Sequence, residues 1–334
     1  MKKEKWNSSE VVTLNSLSLD LYRKLYLTRR AEDLIIQYYP EDEMKTPMHM
    51  SKGQEAISVG VCHALGPKNQ ILASYRSHAA FLSKTEDSDG FFGELYGRQT
   101  GIAKGKSGSM HLSDPAKGHL CSSAIIGSYL PMALGVAYAN KWKKEDGICG
   151  VFFGDGAFDE GVFWESLNVA CVMKLPVLFV CEDNSFAVHS PKEVRQGYKS
   201  IVDILSKFEC NVFEESTTDV ETIYHLTREA MDSIHQTKKP SFLYLECYRY
   251  LQHIGIEEDF HLGYRSKEKY HEWVKRDSVM IQRKRLLENG YSEEDLVRLE
   301  TAIDEQLAHS VKKAKEAPFP APDQLYTDVF HEKD

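Results

Sequence analysis

The runs ICGVFFGDG, Ile148 to Gly156, and VLFVCEDN, Val177 to Asn184, decide how this 334-residue chain is read. Each is a short apolar stretch closed by a polar turn. Ile148, Val151, Phe152 and Phe153 lead into Gly154-Asp155-Gly156, and Val177 to Cys181 lead into Glu182-Asp183-Asn184. Such runs read as strands buried on both faces of a parallel sheet. Between them, Phe158 to Met173 has apolar residues at helical spacing (Phe163, Leu167, Ala170 and Val162, Val169, Met173). The unit is strand–helix–strand with a right-handed crossover. The predicted fold class is therefore α/β, a parallel sheet flanked by helices. Asp155 and Asn184 would emerge at the carboxyl ends of neighbouring strands, where open α/β sheets bind ligands.

A carboxylate, a side-chain amide and a backbone carbonyl are oxygen donors that a hard divalent cation accepts, with phosphate oxygens and water completing the shell. Glycines on both sides of Asp155 let the backbone approach a phosphate, and the following helix offers N–H groups to the anion. Taken alone, Gly-Asp-Gly is a strand-end turn capping a helix. The matched second strand ending in Asn184 moves the reading toward a cation-bound diphosphate.

Gly-Asp-Gly followed after nearly thirty residues by Asn resembles the thiamine diphosphate motif. The wording GDGAFDEGVFWESLNVACVMKLPVLFVCEDNSFAV is similar to one branch, the α subunit of the decarboxylating first component of 2-oxo acid dehydrogenase complexes. Its members act on pyruvate, branched-chain 2-oxo acids or acetoin. The resemblance runs from about Leu21 to about Tyr270, in six ordered segments. It implies a thiamine diphosphate-binding fold with Mg²⁺ and the following residues. Asp155, Asn184 and the carbonyl of Phe186 match the metal ligands, and Gly154, Gly156 and Ala157 lie at the diphosphate. In SYRSH, Tyr75 and Arg76 match residues that reach the diphosphate, and His78 closes the motif. In HMSKGQEA, His49 matches a histidine of the active-site funnel. In AIIGSYLP, Ala124 and Ile126 match backbone contacts to the aminopyrimidine. GKSGSMHL, Gly105 to Leu112, has Ser107 in place of a glycine. In YRYLQH, His253 matches the catalytic-loop histidine. The catalytic candidates are thus His253, His49 and His78. Individually, each histidine also reads as an ordinary satisfied one, Arg76 as a surface ion pair, and Tyr129 and Phe186 as packing residues.

The loop after His253 departs from the family. Ile254-Gly255-Ile256-Glu257-Glu258-Asp259 replaces the usual Ser-x-Ser-Asp, so the serine phosphorylated in some members has no counterpart. Three acidic residues here would disfavour an anionic lipoyl domain. Asp183 replaces the usual first Asn of Asn-Asn and adds charge beside the metal.

The chain carries 50 acidic against 41 basic residues, a net charge of −9, and 42% hydrophobic residues, enough to bury a sizeable core. Acidity without a Lys/Arg stripe argues against nucleic acid. The seven cysteines lack CxxC spacing and read as reduced core residues of a cytoplasmic compartment. The longest small and apolar stretch, Ile125 to Ala139, reads as a buried helix too short to span a bilayer. Gly105-Lys106-Ser107 lacks the first glycine of a P-loop, whose place falls at Thr100. Residues 1–20 read as a polar leader, 21–265 as the α/β domain opening with an amphipathic helix over 21–40, and 266–334 as a helical segment with a Pro-containing tail. Val274, Met280, Leu286 and Leu287 are candidate packing positions, and Tyr326, Val329 and Phe330 a candidate docking tail.

The resemblance implies decarboxylation of a 2-oxo acid and transfer of the acyl unit to a lipoyl acyltransferase partner. The glutamate that activates the cofactor belongs to a separate β subunit, so an α2β2 assembly is expected. Two other readings stand: a two-subunit enzyme passing the activated aldehyde to a non-lipoyl acceptor, and a non-catalytic binding subunit.

Overall fold

A computed structural model describes residues 8–328. Its centre is a six-stranded parallel sheet of β1 (Gln70–Ser74), β2 (His119–Ser123), β3 (Cys149–Gly154), β4 (Val177–Asp183), β7 (Asn211–Glu215) and β8 (Ser241–Glu246), with the small antiparallel hairpin β5 (Phe186–Ala187) and β6 (Ser190–Pro191) outside it. The spatial order is β2-β1-β3-β4-β8-β7. The expected strands pair in register, Cys149 with Val177 through Gly154 with Glu182, which sets Asp155 and Asn184 just past adjacent strand ends. Strand order reverses between β1 and β3, the place where such sheets open a ligand crevice.

Strand alternation feeds two cores. Phe152, Leu178, Val180, Leu243 and Leu245 face one side. Val151, Phe153, Val177, Phe179, Cys181 and Phe242 face the other. The first side is covered by α2 (Glu55–Leu65) and α8 (Val220–Thr237), with α1 (Ser8–Tyr38) and α10 (Ser278–Glu288) packed beyond. Helix α2 is buried almost all round, as a helix enclosed by neighbours should be. The second side is covered by α5 (Tyr129–Lys143) and α6 (Gly161–Met173). The rest comprises α3 (His78–Thr85), α4 (Ser88–Leu95), α7 (Ile201–Leu205), α9 (Lys267–Val274) and α11 (Glu293–Glu316). Helix α11 opens with a capping box of Ser292 and Asp295 and packs on α4.

Several expectations change. The first helix begins at Ser8 rather than near residue 21. The Ile125–Ala139 stretch is not a buried helix: α5 starts at Tyr129, and Ile125, Met132, Tyr138 and Trp142 are exposed, Trp142 at 76%. Apolar residues on both faces had hidden its amphipathicity. The C-terminal packing positions shift by one residue, with Trp273 and Val279 buried while Val274 and Met280 are exposed; Leu286 is buried as expected. Val329 and Phe330 lie outside the described residues. Among the described residues no helix is long and apolar enough to cross a membrane.

Candidate active site

A cavity of about 270 Å³ opens at the carboxyl ends of the strands. Ser74, Tyr75 and Arg76 reach it from β1, Gly154, Gly156 and Ala157 from β3, and Glu182 and Asn184 from β4. Phe186 and Val188 come from the hairpin, and Arg249 and His253 from the segment after β8. Tyr129, Ile126 and Gln54 complete much of the wall. A Cβ on Gly156 would stand 3.1 Å from the Cβ of Ala187, so a side chain there would crowd the cavity edge.

Asp155 is buried between the two lining glycines. Its Oδ2 accepts from Nη2 of Arg195, while its Oδ1 has no hydrogen-bond partner. Burial and the nearby Asp183 carboxylate push its acid up to about 7 against the pull of Arg195. An orphaned carboxylate oxygen at this depth is the donor a cation would satisfy. Asn184 is held beside it, accepting from the Phe186 N–H at 3.1 Å and donating to Oε1 of Gln54 at 3.2 Å. Among the described residues no three His, Cys, Asp or Glu side chains converge as a metal-binding group. The donors gathered here are instead the mixed oxygen set of one carboxylate and one amide. Asp183 does not project free charge: Lys192 Nζ lies 2.5 Å from its Oδ2, and the Tyr244 hydroxyl donates to the same oxygen.

The other wall is cationic. Nη2 of Arg76 lies 3.3 Å from Nδ1 of His253 and Nη1 of Arg249 lies 3.1 Å from the same nitrogen. Arg76 also donates to the carbonyls of Met50 and His253. Neither arginine has a carboxylate partner among the described residues, although both are buried. Burial and Arg76 lower Arg249 to about 10. Burial, Arg76 and Arg249 lower His253 to about 3. Two desolvated guanidinium groups meeting at a neutral imidazole make a site for an anion, and their planar forks suit phosphate.

Helix α1 braces this wall. Arg29 donates to Oε1 of Glu55 at 2.5 Å and to Oδ2 of Asp277 at 2.8 Å, and the Tyr250 hydroxyl adds a bond to Asp277. Gly53, at φ +93°, passes so close that a Cβ would strike the Tyr248 carbonyl oxygen at 2.3 Å. That contact locks the HMSKGQEA segment to the segment carrying Arg249 and His253.

The expected residues divide by position. Tyr75, Arg76, Ile126, Gly154, Gly156, Ala157, Asn184, Phe186 and His253 line the cavity, with Asp155 buried among them. His49 sits one layer back, its ring 4.5 Å from that of Tyr75 and 5.3 Å from that of His253. Ala124 is half-buried and off the lining. His78 is fully buried against Glu32 (Nδ1 to Oε1, 2.9 Å) and the edge of Phe91, also off the lining. Its imidazole ties α3 to Glu32 of α1. Arg249, inside the YRYLQH motif, lines the cavity without being among the expected residues, and Lys192 and Arg195 join the site with no local sequence pattern to mark them. The acidic loop changes meaning too: Asp259 is buried, with Oδ1 2.7 Å from Nε of Arg265 and Oδ2 accepting from Tyr264, so only Glu257 and Glu258 face outward.

The profile of the Dehydrogenase E1 component family matches residues 23–323. The chain is 30% identical over 313 residues to the α subunit of acetoin:2,6-dichlorophenolindophenol oxidoreductase of Bacillus subtilis, covering 94% of this chain and 93% of that protein. It is 30% identical over 310 residues to the pyruvate dehydrogenase E1 component subunit alpha of Rickettsia felis, covering 92% and 94%. The match to the chloroplastic pyruvate dehydrogenase E1 subunit alpha-3 of Arabidopsis thaliana is also 30%, over 336 residues, covering 98% and 78%. With its parallel sheet and strand-end cavity, this chain belongs to the Dehydrogenase E1 component family, as an α-subunit-type member of the 2-oxo acid dehydrogenase class.

Proposed function

We propose that this chain is the α half of a two-subunit enzyme that decarboxylates a 2-oxo acid such as pyruvate, using thiamine diphosphate held through Mg²⁺. One observation carries the reading: a single cavity sets the buried, carboxylate-free Arg76 and Arg249 opposite Asn184 and the two glycines that flank Asp155, whose Oδ1 has no partner. A cation-bound diphosphate satisfies both. Asp155, Asn184 and the Phe186 carbonyl would hold Mg²⁺. Arg76, Arg249, Tyr75 and the backbone at Gly154, Gly156 and Ala157 would hold the diphosphate, with Ala124 and Ile126 beside the aminopyrimidine. When bound, thiamine diphosphate supplies the carbon nucleophile and the electron sink for the departing CO₂. His253 would offer the N–H of a neutral imidazole as a hydrogen-bond donor to the substrate, with His49 behind it and His78, at the start of α3, tied to Glu32 of α1.

A β subunit would complete the site in an α2β2 assembly. The exposed apolar side chains Ile125, Met132, Tyr138 and Trp142, which begin beside the cavity-lining Ile126, support that docking. Lipoyl transfer is the acyl route that the family suggests. The outward Glu257 and Glu258 favour a second reading, a neutral or cationic acceptor. The seven unpaired thiols suit a reducing, cytoplasmic setting.

The test is co-purification with the β partner and a screen of 2-oxo acids for CO₂ release, with Asp155→Ala as control. Turnover that needs both chains and disappears with Asp155→Ala is expected. Robust turnover by the α chain alone would overturn the split-site reading.

A further inference from the structure

Beyond Asn184 the chain leaves the sheet, turns through the β5–β6 hairpin and comes back over the strand ends. Ser185 and Val188 both adopt positive φ, 69° and 56°, a strained choice for a β-branched valine. The return closes with the Lys192 N–H donating to the Ser185 carbonyl at 3.0 Å, followed by a single 3₁₀ turn, Lys192–Val194. With about three residues per turn, Lys192 and Arg195 share one face. Each meets one strand-end carboxylate. Lys192 Nζ lies 2.5 Å from Asp183 Oδ2 and 3.2 Å from the Tyr244 hydroxyl. Arg195 places Nη2 on Asp155 Oδ2 and Nη1 2.7 Å from Asp159 Oδ2, and Gln196 reaches the Asp155 carbonyl at 3.4 Å.

Both aspartates spend Oδ2 on these cations, which decides what Oδ1 can do. Asp183 Oδ1 accepts from the Ser185 N–H at 2.8 Å and so shapes the turn presenting Asn184. Asp155 Oδ1 is left without a partner. Arg195 is shared between Asp155 and Asp159 and Lys192 pairs with Asp183, so two cations face three carboxylates and one negative charge is left over at the strand ends.

We propose that Lys192 and Arg195 are positioning residues, a two-cation clamp that fixes Asp155 Oδ1 and the Asn184 amide for the cofactor's divalent cation. This rests on the reading of Asp155 and Asn184 as the cation's ligands. A carboxylate with one oxygen already engaged binds through the other alone and cannot swing, which is how outer partners orient a metal ligand. Asp183 in place of asparagine is tolerable because Lys192 reaches it, so the two residues form one unit.

The test uses the full chain co-purified with its β partner and reads Mg²⁺ affinity by calorimetry with thiamine diphosphate present, not turnover. Arg195→Met and Lys192→Met are each expected to weaken Mg²⁺ binding by about 10- to 100-fold, and Arg195→Lys to recover part of the loss. Lys192→Met strands a buried carboxylate and should also lower the melting temperature. The double variant Asp183→Asn with Lys192→Met should restore both readouts, and it carries the test if the single variant fails to fold. Asp155→Ala separates the two levels. If it binds Mg²⁺ like wild type, the ligand assignment falls and the clamp with it. If it loses binding while folded Arg195→Met and the double variant's parent Lys192→Met keep wild-type affinity, the clamp alone is refuted. Tighter Mg²⁺ binding by Arg195→Met would refute it equally, making the arginine a competitor.

Discussion

Arg249 places Nη1 3.1 Å from Nδ1 of His253, and this contact sets the imidazole's tautomer. A guanidinium can only donate, so Nδ1 must accept and the ring proton belongs on Nε2. Arg76, 3.3 Å from the same nitrogen, enforces the same assignment. His253 is therefore a neutral donor with its acceptor nitrogen already used, suited to giving a hydrogen bond through Nε2. His253→Ala should lower turnover of the assembled enzyme by ~10²-fold or more, the usual cost of a lost hydrogen-bond donor at the reacting group, with circular dichroism unchanged. An unaffected rate would reduce the histidine to packing.

The same positive surroundings make the fold acid-sensitive. Burial and Arg76 hold both His49 and His253 down to about 3, against 6.5 for a free imidazole. Between those values the unfolded chain binds more protons than the folded one, so stability falls as pH falls. The melting temperature without cofactor should drop from pH about 7 to about 5, and drop less in His49→Gln. Equal drops in the two proteins would show that other groups control the acid limb.

The buried ion cluster of Arg29, Glu55 and Asp277 ties α1, α2 and α10 together behind the site. Glu55 has no exposed side-chain surface, and its other oxygen accepts from the Gly53 N–H at 2.8 Å. Glu55→Gln takes one partner from a buried ion pair in low dielectric, which typically costs about 3–5 kcal/mol. Urea unfolding should show a loss of that order. A loss below about 1 kcal/mol would mean that Asp277 alone satisfies Arg29.

The parts of this fold that could be read in advance share one physical property. β3 and β4 are buried on both faces, so their sequences are unbroken apolar runs with polar ends. β7, Asn-Val-Phe-Glu-Glu, is a half-buried edge strand with two apolar residues, too few to mark a run. The start of α1 at Ser8 lies in a segment rich in Ser and Asn, although Val11, Leu14, Leu17 and Leu21 carry the helical spacing back from Leu25. At the site, residues fixed by strand ends were legible, whereas those arriving by fold-back were not. Lys192 meets Asp183, nine residues away, and Arg195 meets Asp155, forty away, only because the hairpin between them turns back. Asp259 looked like part of an acidic surface because its cancellation by Arg265 depends on the loop's curl, which no composition reveals.

That cancellation sharpens what the departed loop does to acceptor choice. With Asp259 turned inward, the outward charge reduces to Glu257 and Glu258, next to the exposed Ile254 and Leu262. Two exposed carboxylates near the cavity mouth would slow encounter with an anionic lipoyl domain through long-range repulsion, which salt screens over about 10 Å at 0.1 M. The assembled enzyme is therefore expected to acylate generic lipoyl domains slowly, and faster as salt rises. Glu257→Lys with Glu258→Lys should raise the low-salt rate by ~10-fold or more through steering and reverse the salt dependence, leaving CO₂ release with an artificial electron acceptor unchanged. A fast wild-type rate at low salt would remove the electrostatic barrier and return lipoyl transfer to first place. A slow rate that neither salt nor charge reversal improves would point to the shape of the 254–263 loop, and an acceptor of a different kind.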